Sequence, residues 1–303
     1  MRTQYAHLLS QLSAALGRDA ARAEMRWMLQ ALQQQQQQQH PRRVELADMV
    51  ARRVAGEPLQ YILGSQPFGP LNLLTRPPVL IPRPETEHWT MCLAERVTPS
   101  PTRPIRLLDL CTGSGCIPLL LCRLWPPGSV RAYGVDIAPE AIQLASDNTA
   151  ICGFSESSDD PTHQPPFVRN TFRPILADIR DPAFLRMPGL CPPFQVLTSN
   201  PPYIPRREYD VLPPSVKDYE DRRALLGDPD SDSKDGDGLT FYRDIARLIA
   251  TEGILAEDGV VAVEVGKGQA RDVECILKDQ AKLPKTTIWQ DPWSVERVVV
   301  ATR

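Results

Sequence analysis

The segment Ser199–Tyr203 carries the residue types best suited to chemistry in this sequence, and it directly follows the apolar run Gln195–Thr198. A planar NH2 group is a poor nucleophile, because its lone pair is delocalised into the attached carbonyl or ring. The Asn200 oxygen and the Pro201 carbonyl can accept its two hydrogens and so turn the lone pair toward a reacting carbon. Consecutive prolines stiffen this loop, and Tyr203 offers an aromatic wall for a flat group.

A second segment, Asp109–Cys116, places two glycines where an apolar run gives way to a helical pattern. Glycine there lets a ligand approach the backbone closely. A dinucleotide motif requires a third glycine where Pro118 stands, and a P-loop requires a Gly-Lys-Ser/Thr sequence that is absent. The Asp109 carboxylate would repel a pyrophosphate but suits the ammonium and sulfonium of S-adenosylmethionine. A simple tight turn is the alternative interpretation.

Acidic residues follow the next two apolar runs. Asp136 lies at the spacing after the glycines where a carboxylate accepts the hydroxyls of a ribose. It could instead cap a helix that begins at Pro139. Asp178 could meet the amino group of an adenine, beside an apolar contact from Ile179. A ribose site of this kind is shared by NAD and S-adenosylmethionine binders, so Asp136 alone leaves both ligands open.

No histidine, cysteine or lysine lies within the Asn-Pro-Pro-Tyr segment. A neutral amide needs its lone pair oriented more than it needs early deprotonation, because the proton becomes acidic only as the new bond forms. We therefore expect in-line attack of a nitrogen on the methyl carbon, with catalysis mostly by positioning. On this interpretation the catalytic residues are Asn200, Pro201, Pro202 and Tyr203.

Short apolar runs alternate with helical ones after Pro104, which is typical of a parallel, doubly wound sheet. The last two runs have no helix between them and predict an antiparallel pair at the sheet edge. If the strand before Asn200 is the fourth, it neighbours the first, and both loops line one crevice at the switch point. The predicted strands are Arg106–Leu110, Val130–Val135, Pro174–Ala177, Gln195–Ser199, Gly259–Val265, Thr286–Gln290 and Arg297–Ala301, and the predicted helices are Cys116–Trp125, Pro139–Cys152, Leu239–Ala256 and Gln269–Leu283.

This order of elements predicts an α/β fold, the seven-stranded Rossmann-like sheet of class I S-adenosylmethionine-dependent methyltransferases, preceded by a small helical domain. A nucleotide-binding dehydrogenase also fits the strand pattern. We divide the chain into a helical domain at 1–75, a proline-rich connecting segment at 76–104 and a methyltransferase domain at 105–303. The glutamine run Gln33–Gln39 is interpreted as a solvated helix extension or a loop insertion.

Composition excludes several classes of protein. The 303 residues carry a formal charge of −3 and a pI near 5.9, which argues against nucleic-acid binding through a basic surface. No apolar run approaches the roughly 20 residues that cross a bilayer, so we expect no membrane span. Seven cysteines without a Cys-x-x-Cys pair are expected to be free thiols, and four scattered histidines predict no metal site.

Over nearly its whole length the sequence resembles the protein-(glutamine-N5) methyltransferases of peptide chain release factors, the HemK/PrmC family. The Asn-Pro-Pro-Tyr segment is shared with enzymes that methylate amino groups of DNA and RNA, whereas two segments before residue 90 are more specific to the family. The resemblance is carried by Gly56–Gly64, Val79–Glu87, Asp109–Cys116, Ser199–Ile204, Tyr219–Glu220, Asp237–Gly238, Tyr242–Ile245 and Glu264–Gln269.

The resemblance implies a release factor as protein substrate, recognised by the N-terminal helices. It implies that Asn200–Tyr203 hold the glutamine of a Gly-Gly-Gln motif, with Arg83 and Glu85 as further substrate contacts. The S-adenosylmethionine contacts that it implies are Cys111, Thr112, Gly113, Ser114, Gly115, Asp136, Ile179 and Asn200.

Three positions depart from the family pattern. Asp221 stands where proline is usual, 227–235 resembles an acidic insertion, and Val295 occupies a position where glycine is frequent. Two rival functions stay open: an N6-adenine or N2-guanine amino methyltransferase acting on DNA or RNA, and a binding module without catalysis. The low pI and the family-specific segments count against the first, and the retained chemical residues count against the second.

The sequence also suggests where the protein is located and whether it forms oligomers. The glutamine run and the acidic insertion suggest a eukaryotic source, where the family has mitochondrial and cytosolic branches. The start of the chain has no acidic residue before Asp19 and resembles a transit peptide, so we expect a mitochondrial protein, with a cytoplasmic one as the alternative. We expect a monomer that binds no nucleic acid.

Overall fold

Four helices form the N-terminal unit of the computed structural model, which describes residues 2–37, 45–155, 169–187, 189–190, 192–229 and 236–303. They are α1 (Arg2–Leu16), α2 (Arg18–Gln37), α3 (Leu46–Val54) and α4 (Leu59–Leu63). Their apolar faces bury a shared cluster that includes Leu12, Met25, Met28 and Met49. Helix α2 continues through Gln37, so the described part of the glutamine run extends a helix, as predicted, while Gln38 and Gln39 lie outside the described residues.

A β-hairpin that the sequence analysis did not predict follows these helices. Its strands are β1 (Ser65–Phe68) and β2 (Leu71–Leu74), which pair antiparallel. Phe68 and Leu73 are buried in the core of the large sheet, whereas the cluster of the helical unit extends only to Ile62 among the buried residues described. The hairpin thus packs on the large sheet, and the domain boundary at residue 75 stays a prediction.

The proline-rich segment at 76–104 contains a helix, α5 (Pro84–Arg96), rather than only a connection. Proline is favourable at the first helical position, because its missing N–H would have no helical partner there. Trp89 and Leu93 of α5 are buried against the sheet. This helix therefore carries the Arg83–Glu87 segment to the carboxyl ends of the strands.

The large sheet contains the seven predicted strands, each with bounds within a few residues of the prediction. They are β3 (Ile105–Leu110), β4 (Val130–Asp136), β5 (Thr171–Leu176), β6 (Phe194–Ser199), β7 (Leu255–Glu264), β8 (Lys285–Gln290) and β9 (Glu296–Thr302). Their spatial order is β5-β4-β3-β6-β7-β9-β8, parallel from β5 to β7, with β9 antiparallel to both β7 and β8. The predicted Rossmann-like methyltransferase fold is confirmed, including its antiparallel edge.

The position of β6 beside β3 creates the site. The chain crosses from β3 outward to β4 and β5, then returns to place β6 on the other side of β3. Leu110 at the end of β3 pairs with Ser199 at the end of β6. The loops after these two strands therefore leave the sheet side by side, as expected at a topological switch point.

Helices cover both faces of the sheet. They are α6 (Cys116–Leu124), α7 (Pro139–Ile151), three short helices α8 (Arg206–Tyr209), α9 (Pro214–Lys217) and α10 (Arg222–Leu225), then α11 (Thr240–Glu252) and α12 (Ala270–Asp279), with a 3-10 turn at Phe184–Arg186. The predicted helix Leu239–Ala256 is too long, because Gly253 adopts a left-handed conformation that ends α11 and Leu255 begins β7. The apolar residues 254–256 fit a strand as well as a helix.

Two sequence expectations concern features of the whole chain. Six cysteines are described, and all are free thiols: Cys92, Cys111, Cys116, Cys122, Cys152 and Cys275. Cys191 lies outside the described residues. No helix in the described part of the chain has both the length and the apolar character to span a membrane.

Candidate active site

A cleft lies at the carboxyl ends of the parallel strands, where the loops after β3 and β6 meet. It is open to solvent and holds about 960 Å³ of free space. Apolar groups from α7, the β5 loop and Phe241 form much of its wall. Seven of the residues predicted for the site line it together: Cys111, Gly113, Asp136, Asp178, Ile179, Asn200 and Pro202.

The glycine loop turns sharply through left-handed backbone. Gly113 and Gly115 have φ of 56° and 77°, and Cys111 between the strand and the loop has φ of 58°. A Cβ on Gly115 would lie 2.7 Å from Cε1 of Phe172, whereas one on Gly113 would meet nothing within 4 Å. Gly115 is thus required for packing, while Gly113 leaves its side of the cleft open for a ligand.

Asp136 connects the tip of β4 to this loop. Its carboxylate accepts hydrogen bonds from the Gly113 and Ala138 backbone nitrogens, both at 2.9 Å. Burial raises the pKa of Asp136, and the two donated bonds oppose that rise. A carboxylate has about four acceptor positions, so Asp136, which lines the cleft, retains acceptor capacity for ligand hydroxyls.

The structure places the Asp109 side chain beneath the glycine loop. Its side chain is fully buried, lies outside the cleft lining, and accepts hydrogen bonds from the Thr112 and Thr198 hydroxyls, each at 2.6 Å. Burial raises the pKa of Asp109 to about 7. The side chain is directed between β3 and β6 because Asp109 pairs with Thr198 in the sheet. It therefore holds the loop from beneath, and its contact with a ligand cation stays a prediction.

Three more loop residues predicted as contacts are buried rather than cleft-lining: Thr112, Ser114 and Gly115. Thr112 is engaged with Asp109, and the Ser114 carbonyl accepts a bond from Asn148 of α7. These residues shape the turn instead of presenting side chains to the cleft. Which side chains of this loop point into the protein and which point into the cleft depends on the conformation of the turn.

The residues that do line the cleft fit S-adenosylmethionine. Asp136 presents a carboxylate at the strand tip, Ile179 and Ala177 provide an apolar wall, and Asp178 lies beside them with its side chain 36% exposed. Asp178 also accepts a hydrogen bond from the Arg180 backbone nitrogen at 2.8 Å. These residues combine acceptors for hydroxyl and amino groups with a surface for a flat base. Among the described residues, no group of three His, Cys, Asp or Glu is placed to hold a metal ion.

Asn200 enters the cleft from the opposite side, supported by residues distant in sequence. Its side-chain nitrogen donates to Oγ1 of Thr86 at 3.3 Å. Oγ1 of Thr86 in turn donates to Glu264 at 2.6 Å, and Trp89 Nε1 donates to the same carboxylate oxygen at 2.7 Å. Thr86 and Glu264 lie in segments of the family resemblance, but sequence reasoning gave them no role.

Tyr203 and Pro201 lie outside the cleft lining. The Tyr203 carbonyl accepts a hydrogen bond from Gln269 Nε2 at 2.9 Å, and the same nitrogen donates to the Asp237 carbonyl at 3.0 Å. Gln269 is fixed by the Gly266 backbone nitrogen, which donates to its oxygen at 3.0 Å. This amide therefore holds the end of the Asn-Pro-Pro-Tyr loop, a function that the sequence analysis missed.

Arg83 and Glu85, predicted as substrate contacts, lie beside the cleft rather than in its lining. Arg83 pairs with Glu220 at 2.5 Å, and the Glu220 side chain is 1% exposed. Burial raises the pKa of Glu220, and the Arg83 guanidinium opposes that rise. Glu85 borders a separate small cavity of about 210 Å³ with Trp89 and Arg297. Substrate contact by either residue stays a prediction.

Of the departures from the family pattern, Asp221 has a clear local function. Its side chain caps α10 by accepting from the Arg223 backbone nitrogen at 2.8 Å, and its own N–H donates to the Pro78 carbonyl at 2.7 Å. Proline could not donate that bond. Val295 donates its N–H to Asp291 at 2.9 Å. Most of the acidic insertion, 230–235, lies outside the described residues.

Known proteins with similar sequences are release factor glutamine methyltransferases. The chain is 36% identical over 251 residues to the release factor glutamine methyltransferase of Geobacter sulfurreducens, covering 83% of this chain and 75% of that protein. It is 33% identical over 231 residues to the protein of the same name from Thermodesulfovibrio yellowstonii, covering 76% and 71%. No family model matches the chain.

A solved structure with a similar fold is the hMettl16 catalytic domain in complex with MAT2A 3'UTR hairpin 6. Its TM-score is 0.50 at 16% identity, and the match covers 84% of this chain and 82% of that one. At that identity the likeness concerns the fold alone. It agrees with the methyltransferase sheet described above.

Proposed function

Because the chain belongs to the release factor glutamine methyltransferase family, we propose that it methylates the side-chain nitrogen of a glutamine in a peptide chain release factor. The methyl donor is S-adenosylmethionine, and the glutamine is that of the Gly-Gly-Gln motif. When bound, the donor supplies an electrophilic methyl group on a sulfonium. Every other requirement of the reaction falls to the residues of the cleft.

One observation carries the proposal most directly: Asn200 faces the cleft with its side-chain nitrogen already engaged by Thr86. The atom left for a ligand is therefore the acceptor oxygen. An incoming amide NH2 has two hydrogens to donate. Asn200 Oδ1 can accept one of them, and acceptance of the other by the Pro201 carbonyl, which is not among the described lining residues, stays a prediction. Two such bonds would fix the plane of the NH2 group and direct its nitrogen lone pair toward the donor methyl group.

The ionisable groups around the cleft favour positioning over base catalysis. Among the described lining residues there is no histidine and no lysine. Burial raises the pKa of the Cys111 thiol, so it stays protonated near neutral pH. The Asp136 carboxylate already accepts two backbone hydrogen bonds. A nitrogen that loses its proton only after the new bond forms can release it to water.

The protein substrate and the location of the chain are parts of the same proposal. The N-terminal helices display Trp27, which is 51% exposed, and Tyr5, which is 40% exposed, and large exposed aromatics support contact with a protein. We propose a mitochondrial monomer that binds no nucleic acid, and the low pI supports the absence of nucleic-acid binding. Imaging a C-terminally tagged protein tests the location, and purely cytosolic signal would contradict it.

The decisive experiment incubates the protein with radiolabelled S-adenosylmethionine and, in separate reactions, a release factor, transfer RNA and DNA. Mass spectrometry then maps the modified atom. We expect label on the release factor glutamine, and none with Asn200→Ala as the matched control. Label on a nucleobase amino group would replace the proposal with the nucleic-acid alternative. Label on no macromolecule would leave only a binding function.

A further inference from the structure

We propose that Thr86 is a positioning residue that fixes which way the Asn200 side-chain amide points. The inference rests on the proposed function and deepens it, since the direction of this amide decides whether the cleft can accept a glutamine NH2. Thr86 belongs to the first turn of α5, 114 residues before Asn200, and is not among the described residues that line the cleft.

The direction of the hydrogen bonds follows from the chemistry of the groups. Trp89 Nε1 can only donate, so the Glu264 oxygen 2.7 Å from it acts as an acceptor. With Glu264 ionised, the Thr86 hydroxyl, 2.6 Å from the same oxygen, donates its single hydrogen there. Burial raises the pKa of Glu264, and the hydrogen bonds from Thr86 and Trp89 oppose that rise. Its lone pairs are then the groups left for Asn200. At 3.3 Å they can accept only from the nitrogen of the Asn200 amide, never from its oxygen.

This series of hydrogen bonds, from Asn200 through Thr86 to Glu264, satisfies only one orientation of the Asn200 amide. If the amide were rotated by half a turn, its oxygen would face the lone pairs of Thr86, and its NH2 would face the NH2 of the incoming glutamine. Both contacts would then pair like with like, and a buried polar group without a partner is destabilising. A rotated Asn200 has no acceptor for the glutamine. Thr86 therefore acts on the reaction through the acceptor that Asn200 presents.

Burial keeps this series of hydrogen bonds rigid. Thr86 is 1% exposed, and Glu264 and Trp89 are each 2% exposed. Glu264 ends β7, so the carboxylate is attached to the sheet itself, and its backbone carbonyl accepts from the Tyr242 hydroxyl at 2.8 Å. Water does not compete for these groups. Low local dielectric also strengthens the hydrogen bonds that the chain forms.

The same helix offers a matched control one turn along. Thr90 is also fully buried, and its hydroxyl donates at 2.7 Å to the Thr86 carbonyl, not to Asn200. Thr86→Val and Thr90→Val each replace one buried hydroxyl by a methyl group of similar size. Thr86→Val also takes a donor from the buried Glu264 carboxylate, so it should lower Tm more than Thr90→Val, and only Thr86→Val should change Asn200.

The test measures single-turnover methylation of a release factor by the wild type, Thr86→Val, Thr90→Val, Thr86→Ser and Asn200→Ala, with Tm and S-adenosylmethionine affinity for each. We expect Thr86→Val to lose about tenfold or more in rate, as a positioned polar group would. Its Tm should fall more than that of Thr90→Val, so the rates are measured well below both Tm values, and its affinity for S-adenosylmethionine should be unchanged. Thr86→Ser should restore the rate.

Two further measurements separate positioning from a general loss of structure. In the double variant of Thr86→Val with Asn200→Ala, the Thr86 change should add no further loss, because its effect passes through Asn200. In 15N NMR spectra, the side-chain NH2 of Asn200, assigned by its absence in Asn200→Ala, should shift in Thr86→Val and stay in place in Thr90→Val.

The outcomes are distinguishable from failure of the proposed function. If the wild type does not methylate a release factor, the proposed function fails, and the NMR comparison still decides whether Thr86 orients Asn200. If the wild type is active and Thr86→Val is as fast as Thr90→Val, the inference is overturned. Multiplicative losses in the double variant, or an unshifted Asn200 NH2, would overturn it too.

Discussion

The two walls of the cleft are built in opposite ways. The wall for the methyl donor is a backbone turn: Asp136 bonds to backbone nitrogens two and 23 positions away, and Asp109 beneath the turn accepts from Thr198 across 89 positions. The wall for the target amide is oriented by side chains, since Asn200 is supported across 114 positions and the Tyr203 carbonyl across 66. One wall depends mainly on its backbone conformation, and the other depends on side chains that the assembled sheet brings together.

The two walls should therefore be sensitive to different kinds of substitution. A local turn is sensitive to backbone conformation, so substitutions at its glycines should change affinity for the donor. A loop held by distant side chains can keep its backbone shape and still lose catalytic activity. Thr86, Glu264 and Gln269 determine how the groups of this loop are oriented, and they do not fill space in the cleft. Substitutions on the two walls should therefore separate binding of the donor from the rate of transfer.

Asn200→Ala should give the largest effect. The variant is expected to fold and bind S-adenosylmethionine while losing roughly 10²-fold or more in single-turnover rate, the scale for removal of a preorganised polar group. Rapid-quench methylation of a release factor measures this rate. Near-normal chemistry, or a comparable loss on replacing any single histidine or cysteine, would contradict a mechanism based on positioning.

Gly113 and Gly115 should separate affinity from stability within one turn. Gly113→Val places a branched side chain in open space beside the cleft, on left-handed backbone. We expect S-adenosylmethionine affinity to fall about 100-fold, or roughly 3 kcal/mol. Gly115→Ala meets Phe172 instead and should lower the free energy of unfolding by about 1–3 kcal/mol. Calorimetry and thermal melting test the pair, and equal affinities in Gly113→Val and wild type would refute the placement of the donor.

Asp136→Ala should weaken donor binding by a smaller amount. Removing acceptors for ribose hydroxyls and for the Gly113 nitrogen is expected to cost about 1–3 kcal/mol in S-adenosylmethionine affinity. Asp178→Ala is the matched control, because its carboxylate is more exposed and bonds to one backbone nitrogen in its own turn. If isothermal titration finds the Asp178 change to be the more harmful, the ribose assignment of Asp136 is wrong.

The buried Asp109 carboxyl, beneath the glycine loop, should make the stability of the protein depend on pH. Burial raises the pKa of Asp109 from 3.8 to about 7 in the folded protein. Between these values the folded state holds a proton that the unfolded state has lost, so stability decreases as pH rises. The slope from this residue is at most about 1.4 kcal/mol per pH unit. Urea unfolding of the wild type and Asp109→Asn should show a flatter profile in the variant, and identical profiles would contradict the protonation of Asp109.

Tyr203→Phe should be the mildest change. The ring keeps its place, and Gln269 holds the carbonyl of residue 203 rather than its hydroxyl. We expect a rate within about threefold of the wild type, less than 1 kcal/mol in activation free energy. Tyr203→Ala, which removes the ring wall, provides the contrast. A steep loss in Tyr203→Phe would assign the hydroxyl a chemical role.

The sequence predicted the parts of the molecule whose signal is local. Strand-helix alternation predicted the seven strands, the fourth strand beside the first and the antiparallel edge pair, and the Asn-Pro-Pro-Tyr and glycine segments predicted the two loops that meet at the cleft. The helix at Leu239–Ala256 was too long because apolar residues near Gly253 fit both helix and strand periods. The hairpin at 65–74 was missed because its strands have four residues each and contain Pro67.

Side-chain direction was the main feature beyond reach of the sequence. Asp109 was predicted to face the donor, yet its pairing with Thr198 across the sheet directs it inward. Thr86 and Glu264 are ordinary residues in sequence, and their contact exists only once α5 packs beside β7. Partners that are 178 positions apart leave no periodic or motif signal in a single chain.

A crystal structure of the protein with S-adenosylhomocysteine and a peptide containing Gly-Gly-Gln would test the two-walled cleft most directly. The peptide glutamine should donate its NH2 hydrogens to Asn200 Oδ1 and the Pro201 carbonyl at about 2.9 Å. Its nitrogen should face the sulfur across the cleft, with Asn200 Nδ2 still on Thr86. A glutamine bound outside the cleft, or an Asn200 that presents Nδ2 to it, would contradict this arrangement.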